Sequence, residues 1–210
     1  PAAITPEEVA STAEALAAVP LAGAGTRNLL ELSWCQGLAA LLKQRPQIAA
    51  ALPRNPVAVQ CTLFDKSDKK NWLVALHQDL SIPVRERVAH AALSVWSAKE
   101  GQHFVHAPTE LLERLLAVRV HIDDCGSENG PLRVVPGSHL RGRMSKPTAR
   151  QLRDTVGEVI CEVGSGDALL IRPLLLHASS KATAPRRRRV LHFLFGPDVI
   201  DYGLQWQHAV

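Results

Sequence analysis

The sequence predicts a mainly β domain, a sandwich or barrel, with helices packed over one of its sheets. Three observations carry this. The first 50 residues are rich in alanine and leucine. From Pro56 onward the pattern changes to short β-branched runs separated by turns. There is no Gly-rich loop after a first strand and no regular alternation of strands with helices, which argues against a doubly wound α/β fold.

Thr5-Pro6-Glu7-Glu8 reads as a helix start: a capping oxygen, proline at the first position and acids at the positive end. A helix over 6–19 follows. A loop over 20–27 carries Pro20, Gly23 and Gly25, and a second helix is expected at about 28–43, ending before Pro46. Val57 to Phe64 is strand-like, and Asp65 to Lys70 is a polar turn. Trp72 to Leu76 reads as a strand running into His77-Gln78-Asp79. Residues 80–107 lack periodicity and read as long loops with short ordered pieces, a length that suggests a lid. Further strands are expected at 115–122, 132–135, 158–163, 168–171 and 187–195, with a small helix at 148–153. The whole reads as a single domain over 1–210, helical to about 50, with a β core at about 57–195.

A 210-residue chain can bury its own core without disulfides or a structural metal. Its 24 basic and 20 acidic residues give a formal charge of +4, which favours small anions but is not a nucleic-acid footprint. Cys35, Cys61, Cys125 and Cys161 form no CxxC pair, so free thiols in a reducing compartment are expected. No apolar stretch reaches 18 residues and no signal peptide is visible, making cytoplasm the default expectation.

In an extended His77-Gln78-Asp79, the imidazole and carboxylate share one face and can converge on a cation. His177, after Leu174-Leu175-Leu176, is the best candidate third ligand. Two imidazoles and one carboxylate leave three octahedral positions open, the arrangement of non-haem iron(II) oxygenases. The same donors also suit catalytic zinc. HxD alone is weak in a chain with nine histidines, and three unrelated polar side chains remain the plainer alternative.

Arg186-Arg187-Arg188-Arg189 runs directly into Val190 to Phe195. In a strand these arginines cannot all face water. Period-2 alternation puts Arg186 and Arg188 on the face of Val190, His192 and Leu194, and Arg187 and Arg189 on that of Leu191, Phe193 and Phe195, so one pair or the other turns inward. An inward guanidinium needs a partner, and a dicarboxylate supplies one.

These features resemble the phytanoyl-CoA dioxygenase family. The resemblance rests on His77-Gln78-Asp79, on Glu128-Asn129-Gly130-Pro131-Leu132 with Val134-Val135-Pro136-Gly137-Ser138-His139, and on His177-Ala178-Ser179 followed by Arg188. It implies a double-stranded β-helix, the cupin-like jelly roll, under a helical cover. It implies iron(II) held by His77, Asp79 and His177, with 2-oxoglutarate as co-substrate and oxygen as oxidant. Arg188, eleven residues after His177, would bind the far carboxylate of 2-oxoglutarate, and Ser179 would hydrogen-bond the same molecule. Spacing alone does not choose Arg188 over Arg186. The activity implied is hydroxylation of an unactivated C–H bond with release of succinate and carbon dioxide. Halogenating relatives replace the metal carboxylate with a small residue, and Asp79 is intact here. No site for a coenzyme A nucleotide is visible.

Gln60 and Lys66 are further candidates beside the co-substrate. Trp72, Trp96, Lys99, Arg119 and His121 are candidates for the substrate pocket, with Lys99 available to a substrate carboxylate. Each has a plainer reading: Trp72 as core, Trp96 and Lys99 as a solvated loop, Arg119 and His121 as a solvent-facing strand side. The Asn129–His139 block reads as structural. A small polar or carboxylate-bearing substrate is expected, with no nucleic acid, no membrane, and a monomer or small homo-oligomer. Two other readings are a non-oxidative cupin-type metalloenzyme and a nucleic-acid oxygenase or basic binding module using the arginine run.

Overall fold

The computed structural model describes every residue except 1, 21, 22, 24 and 185, so part of the expected 20–27 loop lies outside the described residues. Helix α1 spans Pro6–Ala17. Thr5 caps it reciprocally: its Oγ1 accepts from the Glu8 amide at 3.2 Å, and Glu8 accepts from the Thr5 amide at 2.7 Å. The expected helix over 28–43 is divided. A 3-10 turn at Leu29–Glu31 precedes α2 (Ser33–Gln44), with Leu32 extended between them. Proline 46 forces Arg45 out of helical backbone and then serves as the first residue of a one-turn α3 (Pro46–Ala49).

Strand β1 (Pro56–Lys66) is longer than expected and absorbs Asp65 and Lys66. β2 (Val74–His77) and β3 (Ser81–Val84) follow. The lid-like loops expected at 80–107 are instead a three-stranded sheet. Its remaining strands are β4 (Ser94–Lys99) and β5 (Gln102–His106), in the order β3-β5-β4. Glu100 and Gly101 both have positive φ, 50° and 81°, the backbone a two-residue hairpin turn requires. The segment hides its periodicity because Pro83 sits inside β3 and the β4 register shifts between Ser94 and Ser97. The hairpin tip is fastened to the N-terminal segment. Thr26 Oγ1 and the Arg27 amide donate to the Glu100 carboxylate at 2.6 and 2.9 Å, and the Arg27 guanidinium adds an ion pair at 2.8 Å.

The chain continues through α4 (Thr109–Glu113), β6 (Leu116–His121) and β7 (Leu132–Val134). Helix α5 (Lys146–Val156) is longer than the small helix expected there, and Ser145 caps it. β8 (Val159–Cys161), β9 (Ala168–Ile171), β10 (His177–Ser179) and β11 (Arg188–Pro197) complete the described strands. Besides the three-stranded sheet there are two four-stranded sheets, β1-β11-β6-β9 and β2-β10-β7-β8. The described pairings within all three sheets are antiparallel.

Alternation sorts the larger four-stranded sheet into two faces. One face carries Cys61, Leu63, Val118, Val120, Leu191, Phe193 and Phe195. It forms one core with Leu16 of α1, Leu29 and Leu30 of the 3-10 turn, and Leu38 and Leu42 of α2. Burying each such side chain contributes about 1.5–3 kcal/mol, which fixes the helices over this sheet. The other face carries Gln60, Thr62, Phe64, Arg119, Arg188 and His192 and lines a cavity of about 440 Å³. Of the four cysteines, all free, Cys161 alone is not fully buried.

Candidate metal centre

β2 and β10 are neighbours in the smaller four-stranded sheet, and their register sets His77 directly opposite His177. The two imidazole centroids lie 4.2 Å apart. β2 ends at His77, so Asp79 arrives from irregular backbone rather than from the extended strand the sequence suggests. Its amide donates to the Pro173 carbonyl at 2.8 Å, which holds the turn against the segment leading to His177. Asp79 Oδ1 is 3.5 Å from His77 Nε2, and Oδ2 is 3.7 Å from His177 Nε2. One donor atom from each of the three lies within 4.8 Å of the others.

Both imidazoles are oriented for metal. His77 Nδ1 lies 2.8 Å from the Ala75 carbonyl, and His177 Nδ1 lies 2.8 Å from the Leu175 carbonyl. A carbonyl accepts only from Nδ1–H, which leaves each Nε2 lone pair free toward the cluster. Burial opposes ionisation of Asp79, but His177 and His77 outweigh it and hold the carboxyl well below the usual carboxylate range. Two imidazoles and one carboxylate on one side of a cavity fit a six-coordinate iron(II) with three open positions.

Gln78, between the first two ligands, was not singled out by sequence. It is buried with both amide ends in use: Nε2 donates to the Leu174 and Gly142 carbonyls at 2.7 and 2.8 Å, and Oε1 accepts from the Met144 amide at 2.9 Å. It fastens the ligand turn to two other segments. The Asn129–His139 block also acts through support contacts. Ser138 Oγ accepts from the Leu176 amide at 2.8 Å, and Gly130, at φ 61°, turns its carbonyl onto the Arg188 guanidinium.

Arg188 is 4% exposed and lines the cavity, as does Ser179, two residues beyond His177. Beyond the Gly130 carbonyl, Arg188 meets the Cys125 sulfur at 3.4 Å, and its Nε has no acceptor among the described residues. The rest of the arginine run is dispersed. Arg187 pairs with Asp65 at 3.1 Å and Arg189 with Asp123 at 2.7 Å. The buried arginine of the run has no acid beside it among the described residues, and a dicarboxylate would supply what it lacks.

Gln60, Trp72, Lys99 and Arg119 also line the cavity. Lys66, Trp96 and His121 are not among its lining residues, contrary to expectation. Lys66 is 1% exposed; its Nζ donates to the Ser180 carbonyl at 2.8 Å and sits 5.2 Å from the Trp72 ring centre. Burial and the Arg188 charge pull its pKa down to about 8. Trp96 sits on the outermost strand of the three-stranded sheet, under the Arg87 guanidinium. His121 is buried with both ring nitrogens unpartnered, and burial with Arg119 lowers its pKa to about 3. All six β6 residues are buried, so the solvent-facing alternative for Arg119 and His121 fails. His192, set aside by sequence, lines the cavity and touches Arg119. Its position on the Arg188 face was the available signal.

The model of the phytanoyl-CoA dioxygenase (PhyH) family matches residues 2–190. No curated protein matches the chain. Among solved structures, AviO1 from Streptomyces viridochromogenes Tue57 superposes with a TM-score of 0.61 at 21% identity, covering 97% of this chain and 88% of that one. SnoN, the non-haem alpha-ketoglutarate-dependent epimerase from nogalamycin biosynthesis, gives 0.62 at 18% identity, covering 94% and 76%. HygX from Streptomyces hygroscopicus, with nickel, 2-oxoglutarate and hygromycin B bound, gives 0.61 at 18% identity, covering 100% and 91%.

Proposed function

The chain belongs to the phytanoyl-CoA dioxygenase family, which makes it an iron(II)- and 2-oxoglutarate-dependent non-haem dioxygenase, and from that premise we propose that it hydroxylates a C–H bond of a small, acid-bearing metabolite. The observation that carries the proposal is the meeting of His77, Asp79 and His177 at the wall of a cavity that also holds a buried arginine without an acid partner. We read residues 1–210 as one oxygenase domain and the two four-stranded sheets as its double-stranded β-helix. The passage of the chain back and forth between those sheets supports this.

His77, Asp79 and His177 would hold the metal, and Arg188 with Ser179 would hold the far carboxylate of 2-oxoglutarate. Gln60 lines the same cavity and would help orient it. When bound, iron with 2-oxoglutarate and oxygen supplies the oxidising equivalent, with succinate and carbon dioxide as co-products. The protein's own work is positional: it fixes the co-substrate by its charged end, aims the target bond at the metal and keeps bulk water out. Asp79 supports hydroxylation over halogenation, because the carboxylate occupies the position a halide would need.

Charge supports the choice of substrate. The cavity wall carries Arg27, Lys99, Arg119 and Arg188 but a single carboxylate, Asp79, which the metal requires. Arg27 is paired with Glu100 and Arg188 is assigned to the co-substrate. Lys99 stands at the wall with its Nζ 5.1 Å from the Phe104 ring centre and is available to a substrate carboxylate. SnoN, a relative of similar fold, is described as an epimerase, so the product must be identified directly.

The test is succinate release by the iron(II)-loaded enzyme across a panel of amino acids, hydroxy acids and neutral analogues, with product mass measured. Gain of one oxygen on an acid, lost with its amide, is expected. Turnover confined to neutral compounds, or a product without added oxygen, would overturn the reading. Arg188→Ala should abolish 2-oxoglutarate binding while iron binding persists.

A further inference from the structure

Arg119 lies on the middle of β6, and its register partner on β11 is His192. It is 8% exposed and lines the cavity. Its Nη1 donates to His192 Nδ1 at 2.9 Å, its guanidinium lies over the Phe64 ring at 5.2 Å, and its Nε has no acceptor among the described residues. No carboxylate is within ion-pairing distance of it among the described residues. An arginine this buried, supported by one neutral ring and one aromatic face, lacks the anion its burial calls for.

Its place between the two ends of the site says which anion. Arg119 feels the charges of both Arg188 and Asp79. Lys99, by contrast, feels Asp79 and Arg27. Lys99 is exposed on β4 of the three-stranded sheet, whereas Arg119 is buried on β6, on the same cavity face as Arg188 of the neighbouring β11. The co-substrate must lie between the metal and Arg188.

We infer that Arg119 is a second cationic contact for the 2-oxo acid, made at its metal-bound end, and that His192 holds Arg119 in register for it. This rests on the 2-oxoglutarate reading above. The tautomer of His192 follows from chemistry. A guanidinium can only donate, so His192 Nδ1 must accept and the ring is neutral with its proton on Nε2. Burial and Arg119 together keep it neutral, with a pKa of about 3. His192 is then a positioning residue. The division of labour is specific: Arg188 recognises the far carboxylate, and Arg119 recognises the 2-oxo carboxylate common to every 2-oxo acid.

The test uses anaerobic iron(II)-loaded protein titrated with 2-oxoglutarate and with 2-oxobutyrate, which lacks the far carboxylate. Binding is followed by calorimetry and by the visible charge-transfer band of the chelated 2-oxo acid. Arg119→Gln should weaken both ligands by about 10- to 100-fold and alter the band. Arg188→Ala should weaken 2-oxoglutarate alone. His192→Leu should reproduce part of the Arg119→Gln loss, and His192→Asn, which keeps an acceptor, should restore it; this pair decides the matter if Arg119→Gln does not fold. Wild-type affinity for both acids in Arg119→Gln, or a loss seen only in substrate KM, would overturn the inference. If wild-type protein binds neither acid, the 2-oxoglutarate reading itself fails.

Discussion

Lys66 and Arg188 are register partners across β1 and β11, and both are buried. Their neighbours in the same ladder, Asp65 and Arg189, lie on the opposite face and pair elsewhere, with Arg187 and Asp123. The inward pair is two cations side by side, held by the Ser180 and Gly130 carbonyls. Like charges are tolerated at adjacent buried positions only if an anion joins them or one of them sheds its proton.

The first prediction follows from that choice. Lys66 is charged below about pH 8 and loses its proton above it. Affinity for 2-oxoglutarate should therefore fall as pH rises through 8, because one of the cations attracting the dianion is lost. Lys66→Met should bind more weakly at pH 7 and show no such fall. Calorimetry on iron(II)-loaded protein between pH 7 and 9.5 checks this, and a pH-independent wild type would refute it.

The second concerns Gly130. A Cβ there would sit 2.6 Å from the Ser180 carbonyl oxygen in a backbone of φ 61°. Gly130→Ala should destabilise the fold by about 1–3 kcal/mol and displace the carbonyl that holds Arg188. Gly137→Ala is the control. It has similar φ, 72°, but open space around the Cβ, and should cost about 1 kcal/mol with 2-oxoglutarate affinity kept. Equal effects in denaturation and ligand titration would show that the Gly130 contact is unimportant.

The third concerns Gln78, whose three hydrogen bonds support the turn between two ligands. Gln78→Ala leaves buried carbonyls without donors and should lower iron(II) affinity about 10- to 100-fold without removing a ligand. Competition with a chelator measures it. Unchanged metal affinity would show that the backbone alone fixes the turn.

The fourth concerns acid stability. His121 has a native pKa of about 3, below the ordinary value of 6.5. Below pH 6.5 the unfolded chain takes up a proton that the native chain refuses, so native stability falls with falling pH by about 1.4 kcal/mol per unit from this group. His121→Phe should flatten the dependence of urea unfolding by that amount between pH 6 and 4. Parallel wild-type and variant curves would argue against it.

The metal ligands were legible because His77, Asp79 and His177 sit inside a pattern of motifs, and Arg188 because it stands eleven residues after His177 in that same pattern. What stayed hidden depended on contacts between distant segments. His192 looked ordinary until β6 placed Arg119 beside it. Gln78 looked like the spacer in HxD until Gly142, Met144 and Leu174 converged on it. The three-stranded sheet at 81–106 was read as loop because Pro83 interrupts β3 and a bulge at Val95, with φ 52°, breaks the alternation of β4. Trp96 was misplaced for the opposite reason: residue type suggested a place at the pocket, while β4 carries it to an edge of the three-stranded sheet.

The clasp of Glu100 on Thr26, Arg27 and Asn28 ties the rim of the cavity to a stretch that precedes every strand. Breaking that clasp, by Glu100→Gln, removes no iron ligand and no core side chain, yet it would free the hairpin bearing Lys99. Such a variant should still consume 2-oxoglutarate while letting go of its substrate early, a leak in which succinate forms faster than product.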